Sequence, residues 1–163
     1  MPSPGPTTTT TTTAAPATTT TTATTTGERE VVFSRDELCE LLTESEAAEF
    51  GSKNPRPGNS FTTGSEQCQW SGDMSITLDF TAQSSGKLEG KGSNTDIQVA
   101  GTPAVLNEPG EATGVCVVRI AVNGGRSSMA FAASVLTSGR GKGYVPCDVA
   151  KKIAEIVIPK VKG

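Results

Sequence analysis

Four cysteines, Cys39, Cys68, Cys116 and Cys147, are spread along the chain at wide intervals with no C-x-x-C pair, and no histidine occurs anywhere. Structural zinc sites need clustered Cys and His ligands, so a metal centre is a poor account of this set. An even number of well-separated cysteines reads as two disulfides, which persist in secreted or cell-envelope proteins and rarely in the cytosol. Pairing Cys39 with Cys68 and Cys116 with Cys147 ranks ahead of Cys39 with Cys147 and Cys68 with Cys116. The sequence leaves both open. Ser-His-Asp and Cys-His catalysis are excluded for want of a histidine.

Such staples matter because the remainder offers a modest core. Residues 1–27 hold fifteen threonines among Ala, Pro, Ser and Gly and carry no charge. This segment buries too little to offset backbone entropy and is expected to be a disordered tether of a composition that suits O-glycosylation. Residues 28–163 then form a single domain, a length that buries roughly two thirds of its surface around one core. Its aromatics are few (Phe33, Phe50, Phe61, Phe80, Phe131, Trp70 and Tyr144), so Val, Ile, Leu and Ala carry the burial.

The formal charge of −3 comes without a basic stripe or aromatic platforms, which argues against nucleic acid as a partner. Residues 28–49 hold eight acids against two bases, whereas residues 140–163 hold six bases against two acids. No apolar run reaches the eighteen or more residues of a membrane helix, and no signal-type segment is present. The Met1-Pro2 start is read as a mature or trimmed form of an exported chain.

Local patterning fills in the domain. Ser34 with Glu37, and Thr43 with Glu46, are capping-box pairs that predict one kinked helix or two short ones ending at Gly51. Lys53 to Gly64, rich in Pro, Gly, Asn and Ser, reads as loop. Gln67–Ser71 and Ser75–Thr81 alternate as a hairpin about Ser71-Gly72-Asp73, followed by a polar exposed loop from Gln83 to Asn94. Apolar alternation resumes over Asp96–Asn107 and Gly114–Val122, and Asn123-Gly124-Gly125 turns the chain into Ser127–Leu136. Pro146 opens a helix with Val149, Ala150, Ile153, Ala154 and Val157 on one face, ended by Pro159. The expected fold is α+β: an antiparallel meander of about five strands with an acidic N-terminal and a basic C-terminal helix on one face, and two disulfides.

Several pieces in this order carry a family resemblance: Cys39-Glu40-Leu41-Leu42-Thr43 with Glu46, Cys68-Gln69-Trp70, Val99-Ala100-Gly101-Thr102-Pro103-Ala104, Cys116 in a valine-rich strand, and Pro146-Cys147 opening the last helix. Over residues 30–163 the chain resembles the actinobacterial lipoproteins grouped as domain of unknown function 3558. The resemblance implies an extracytoplasmic location, with anchoring at the outer face of the membrane through a lipidated cysteine ahead of the tether. This chain does not carry that cysteine. The family supplies no site residues to transfer.

Candidate chemistry is sparse. Ser84-Ser85-Gly86-Lys87 contains S-x-x-K but sits in a Gly-rich loop, whereas penicillin-recognising enzymes need it on a buried helix. Asp36, Glu37, Glu40 and Glu44 lack calcium-loop spacing. Arg140 and Lys142, within Gly139-Arg140-Gly141-Lys142-Gly143, make the first choice for an anion contact, and Trp70 is a candidate ligand contact beside Cys68. No catalytic residue, cofactor or metal ligand is assigned. The reading is a non-enzymatic binding module on a flexible stalk, monomeric, whose partner is an envelope protein, a glycan or an apolar ligand. The alternative is a small hydrolase of envelope material using a carboxylate pair among Glu66, Asp73, Asp79 and Glu108.

Overall fold

In the computed structural model, which describes residues 30–59, 65–82, 87–109 and 114–162, the period-two runs become strands of one antiparallel sheet. The expected tether (1–27) lies outside the described residues. The strands are β1 (Ser52–Asn59), β2 (Ser65–Gly72), β3 (Met74–Thr81), β4 (Ser93–Val99), β5 (Thr102–Glu108), β6 (Val115–Val122) and β7 (Ser127–Val135). Their order is β1-β2-β3-β7-β6-β5-β4. The sheet is therefore two meanders, β1 to β3 and β4 to β7, joined where β3 pairs with β7.

Seven strands replace the expected five for two physical reasons. The Pro- and Gly-rich stretch after Gly51 forms β1, because an edge strand tolerates Pro55 and Pro57, whose missing N–H groups need no outer partner. The Asp96–Asn107 run is a hairpin, β4 and β5, folded at Ala100 and Gly101 with φ of 48° and 75°. The expected exposed loop over 83–94 is also shortened, since Ser93 and Asn94 begin β4.

Register places one apolar set on a single face: Cys68 and Trp70 from β2, Ile76, Leu78 and Phe80 from β3, Met129, Phe131 and Ala133 from β7, and Cys116, Val118 and Ile120 from β6. All are buried, and each large aliphatic or aromatic side chain among them contributes about 1.5–3 kcal/mol. Cys68 and Cys116 leave from this face. Each is bonded to a helical residue, Cys68 to Cys39 and Cys116 to Cys147, the pairing ranked first from sequence.

The N-terminal helical segment is two short helices, α1 (Arg35–Glu40) and α2 (Glu44–Ala48), each with its capping box formed: Glu37 N–H to Ser34 Oγ and Glu46 N–H to Thr43 Oγ1, both 3.2 Å. Leu38, Leu42 and Ala47 join the same buried cluster as Ile153, Val157 and Ile158 of α3 (Pro146–Lys162). Lys160 Nζ donates to Leu41 O (2.8 Å) and to Glu46 Oε2 (2.8 Å). Partial burial pushes the Glu46 carboxyl up, but Lys160 and the Thr43 N–H more than offset this and leave it below its ordinary value. Helix α3 runs through Pro159 instead of ending there. Pro159 and Glu155, whose backbone bond the ring removes, lie on the exposed side, while buried Val161 holds the last turn to the core.

Gly90 and Lys91, ahead of β4, lie against the opposite face. A Cβ on Gly90 would stand 2.7 Å from Asn107 Oδ1 and 2.8 Å from Arg119 Nη1. Buried Asn107 donates to Lys91 O (2.9 Å) and Asn94 Oδ1 (3.0 Å) and accepts from Arg119 (3.2 Å). Burial pushes the Arg119 guanidinium down from its ordinary value, with the Asp79 charge opposing.

The chain enters the domain at the β6–β7 turn. Val31 N–H donates to Asn123 Oδ1 (2.6 Å), and Asn123 Nδ2 donates to Val31 O (2.8 Å). Asn123 holds φ of 54°, a left-handed conformation that asparagine adopts more readily than most residues.

Candidate functional site

The pole of the sheet opposite this entry is knitted from three segments distant in sequence: Gly51-Ser52, Gly72-Asp73 and Leu136–Gly143. Asp73 N–H donates to Gly51 O and Leu136 N–H to Asp73 O, both 2.8 Å. Ser52 Oγ, buried, donates to Met74 O (2.7 Å), and Ser138 Oγ to Gly72 O (3.0 Å). Gly139 is buried against Asp73, and a Cβ there would run into the Asp73 carbonyl oxygen. Glycine at 139 is thus a condition of the loop's close approach.

This framework positions charge. Lys142 Nζ lies 3.0 Å from Asp73 Oδ2. The Lys142 hydrogen bond holds the Asp73 carboxyl below its ordinary value, against some desolvation and with help from the Ser138 hydroxyl. The Tyr144 hydroxyl and the Asp73 carboxylate both converge on Gly51, where a Cβ would stand 2.7 and 2.8 Å from them. Two grooves are lined in part by the α2–β1 junction, one through Glu49 and Phe50 and the other through Ala48, Gly51 and Ser52. One, of about 270 Å³, is bordered by Glu49, Tyr144, Val145, Asp148 and Lys152. The other, of about 420 Å³, is bordered by Ser52, Lys53, Gly72, Asp73 and Ser138.

Of the three candidate contacts read from sequence, Arg140 and Lys142 lie at this pole. Arg140 is exposed, its backbone N–H donating to Thr137 O (3.3 Å) and its guanidinium making no hydrogen bond or ion pair among the described residues, whereas Lys142 is held by Asp73; neither residue lines a groove. Trp70 is fully buried in the core and borders neither groove, and its indole N–H has no acceptor among the described residues. Asp73 and Tyr144 complete the site. Sequence separation hid their roles, since Asp73 and Lys142 are 69 positions apart.

The four carboxylates of the hydrolase alternative are dispersed. Glu66 faces Arg35 Nε at 3.3 Å, and Asp79 accepts from Thr81 Oγ1 (3.3 Å). Glu108 lies at the end of β5, three strand positions from Asp73, or roughly 14 Å at the usual spacing. Only Asp73 among them borders either groove.

Glu108, Cys116 and Cys147 form the one three-residue group among the described residues with metal-ligand proximity, their ligand atoms within 4.8 Å of one another. Both sulfurs are already bonded in the disulfide. Asp36, Glu37, Glu40 and Glu44 form no such group. Ser84, Ser85 and Gly86 lie outside the described residues, and Lys87 is exposed in irregular chain.

A family model matches residues 2–160. The chain belongs to the family described as protein of unknown function (DUF3558). This DUF3558 chain has no match among curated proteins or solved structures. The DUF3558 assignment spans the four cysteines, both disulfides and the whole grooved pole.

Proposed function

We propose that this chain is an extracytoplasmic binding module, displayed on its threonine-rich segment and lipid-anchored in full-length form, whose grooved pole recognises an anionic partner of the cell envelope. The carrying observation is Arg140: an exposed guanidinium with no hydrogen-bond or ion-pair partner among the described residues, on a loop fixed by Gly139 and by the Lys142–Asp73 pair. Lys53 and Lys152 border the two grooves, which the same loop reaches through Ser138 and Gly143.

Two disulfides, and the lack of any helix long and apolar enough to cross a membrane among the described residues, fit an extracytoplasmic domain. The chain enters at Val31, at the opposite end of β7 from the grooves, about 27 Å away at 3.3 Å per residue. The burial of Trp70 favours this polar reading over an apolar ligand, for which an open cavity at the tryptophan would be needed.

The test is binding of the full chain to envelope extracts at low and high salt, because exposed charge contacts weaken as ionic strength rises. Arg140→Glu should abolish the salt-sensitive binding while leaving the melting temperature unchanged. Binding that is indifferent to both salt and Arg140→Glu would overturn the anionic reading, and turnover of a substrate that depends on Asp73 would overturn the non-enzymatic one.

A further inference from the structure

The two edges of the sheet are built differently. Edge strand β1 carries Pro55 and Pro57, a register irregularity between Lys53 and Arg56, and Asn54 with φ of 57°. Prolines, bulges and charged side chains are the usual devices that stop an edge from pairing with another chain. Edge strand β4 has none of the backbone devices. Its seven residues, Ser93–Val99, pair without a break with Glu108–Thr102, and contain neither proline nor glycine. Ser93 through Asp96 and Gln98 are exposed, and Ile97 is only partly covered although it packs against the core. Among the described residues no strand pairs with the outer row of N–H and C=O groups along β4.

From this asymmetry we infer that β4 is an interface with a second copy of the same chain, the two β4 strands pairing antiparallel about a twofold axis at Ile97. The register follows from complementarity. Facing residues must have positions of the same parity, because successive side chains alternate faces. Centring on Asp96 would oppose two like charges, which is destabilising. Centring on Ile97 opposes Ile97 to Ile97 and Thr95 to Val99 on one face, and Asp96 to Gln98 twice on the other. The amide of Gln98 then donates to the Asp96 carboxylate, and the partly exposed Ile97 is covered. The pairing joins the two sheets across their open edges and leaves both β1 strands outermost. It is short beside the roughly 1,200–2,000 Å² of a stable interface, so the dimer is weak and concentration-dependent. The inference departs from the monomer expected of the sequence.

Sedimentation equilibrium of the full chain from micromolar to millimolar concentration tests this, with paired charge variants at an exposed position. Gln98→Lys sets an ammonium opposite Asp96 in both halves and should tighten the dimer by roughly 2- to 30-fold, from about 0.2–1 kcal/mol per cross-strand pair. Gln98→Glu sets like charges opposite and should loosen it by a similar factor. Arg140→Glu, at the ligand pole, should leave association unchanged, which separates this inference from the binding reading. Monomers throughout, for the wild type and Gln98→Lys alike, would overturn it. So would a dimer whose strength does not move in opposite directions with the two Gln98 variants, as expected of another register or another surface.

Discussion

Removing the Cys39–Cys68 disulfide by a Cys39→Ala/Cys68→Ala double substitution should cost more structure than removing Cys116–Cys147, although chain entropy treats the two alike. Their sequence separations are 29 and 31 residues, and each loop stabilises the fold by about 3.6 kcal/mol in the chain-entropy model. For a unit of about 130 residues, an unfolding entropy of roughly 2.1 cal/mol/K per residue converts this to a fall of about 13 °C in melting temperature. The difference lies in what each bond holds. Helices α1 and α2 have 6 and 5 residues, far below the length at which a helix persists alone. Helix α3 has 17 residues and its own buried stripe of Val149, Ala150, Ile153, Ala154 and Val157. Loss of Cys39–Cys68 should therefore fray residues 34–50 below the global transition, while loss of Cys116–Cys147 should lower the transition and keep α3 intact. Calorimetry with amide hydrogen exchange separates these outcomes, the reporting amides being Leu38 and Ala47, bonded to Ser34 O and Thr43 O. Undiminished protection of Leu38 in the Cys39/Cys68 variant would refute the reasoning and assign the anchoring of α1 to Leu38 and Leu42 packing alone.

Three further outcomes follow from the geometry. Gly139→Ala should lower stability by about 1–3 kcal/mol through overpacking and weaken partner binding as the loop moves off Asp73, both measurable by thermal melts and titration. Lys142→Ala should return the Asp73 carboxyl upward toward its ordinary value in a carbon-detected NMR titration. Because the folded value is depressed, the stability linked to this group is present above the ordinary carboxylate range and is lost as pH falls through the folded value, so the variant should show a shallower acid dependence. Asn123→Ala removes both bonds to Val31 and places alanine at positive φ, and should lower stability by about 1–3 kcal/mol with loss of exchange protection at Val31.

The strands that sequence made legible, β2, β3, β6 and β7, have clean alternation and ordinary turn residues, as at Asn123-Gly124. Strand β1 was hidden because Pro55 and Pro57 mark loops until the strand is known to be an edge. The β4–β5 hairpin was hidden because Ala100, a residue that seldom takes positive φ, shares its turn with Gly101. Capping boxes and cysteine spacing are local signals, and both were readable. The Asp73–Lys142 pair is not local: it exists only because the β2–β3 turn and the loop before α3 share one pole of the sheet. Trp70 shows the reverse limit, since a tryptophan beside a cysteine looks the same in sequence whether it lines a cavity or fills a core.

The bond between Val31 and Asn123 also sets how the domain responds to pulling. A pull on the chain at Val31, with the far pole of the sheet held, loads two hydrogen bonds first, and these are in series with the eight residues from Val31 to Leu38. Those residues can peel away and extend by at most about 3.6 Å each. The load then reaches Cys39 and passes through sulfur to Cys68 in β2, inside the sheet. Tension therefore meets a short extensible lead followed by a covalent stop, and the strands beyond Cys68 bear it along their length, where many hydrogen bonds must fail together. Pulled from this end, the fold gives by one fixed length before the sheet itself is loaded.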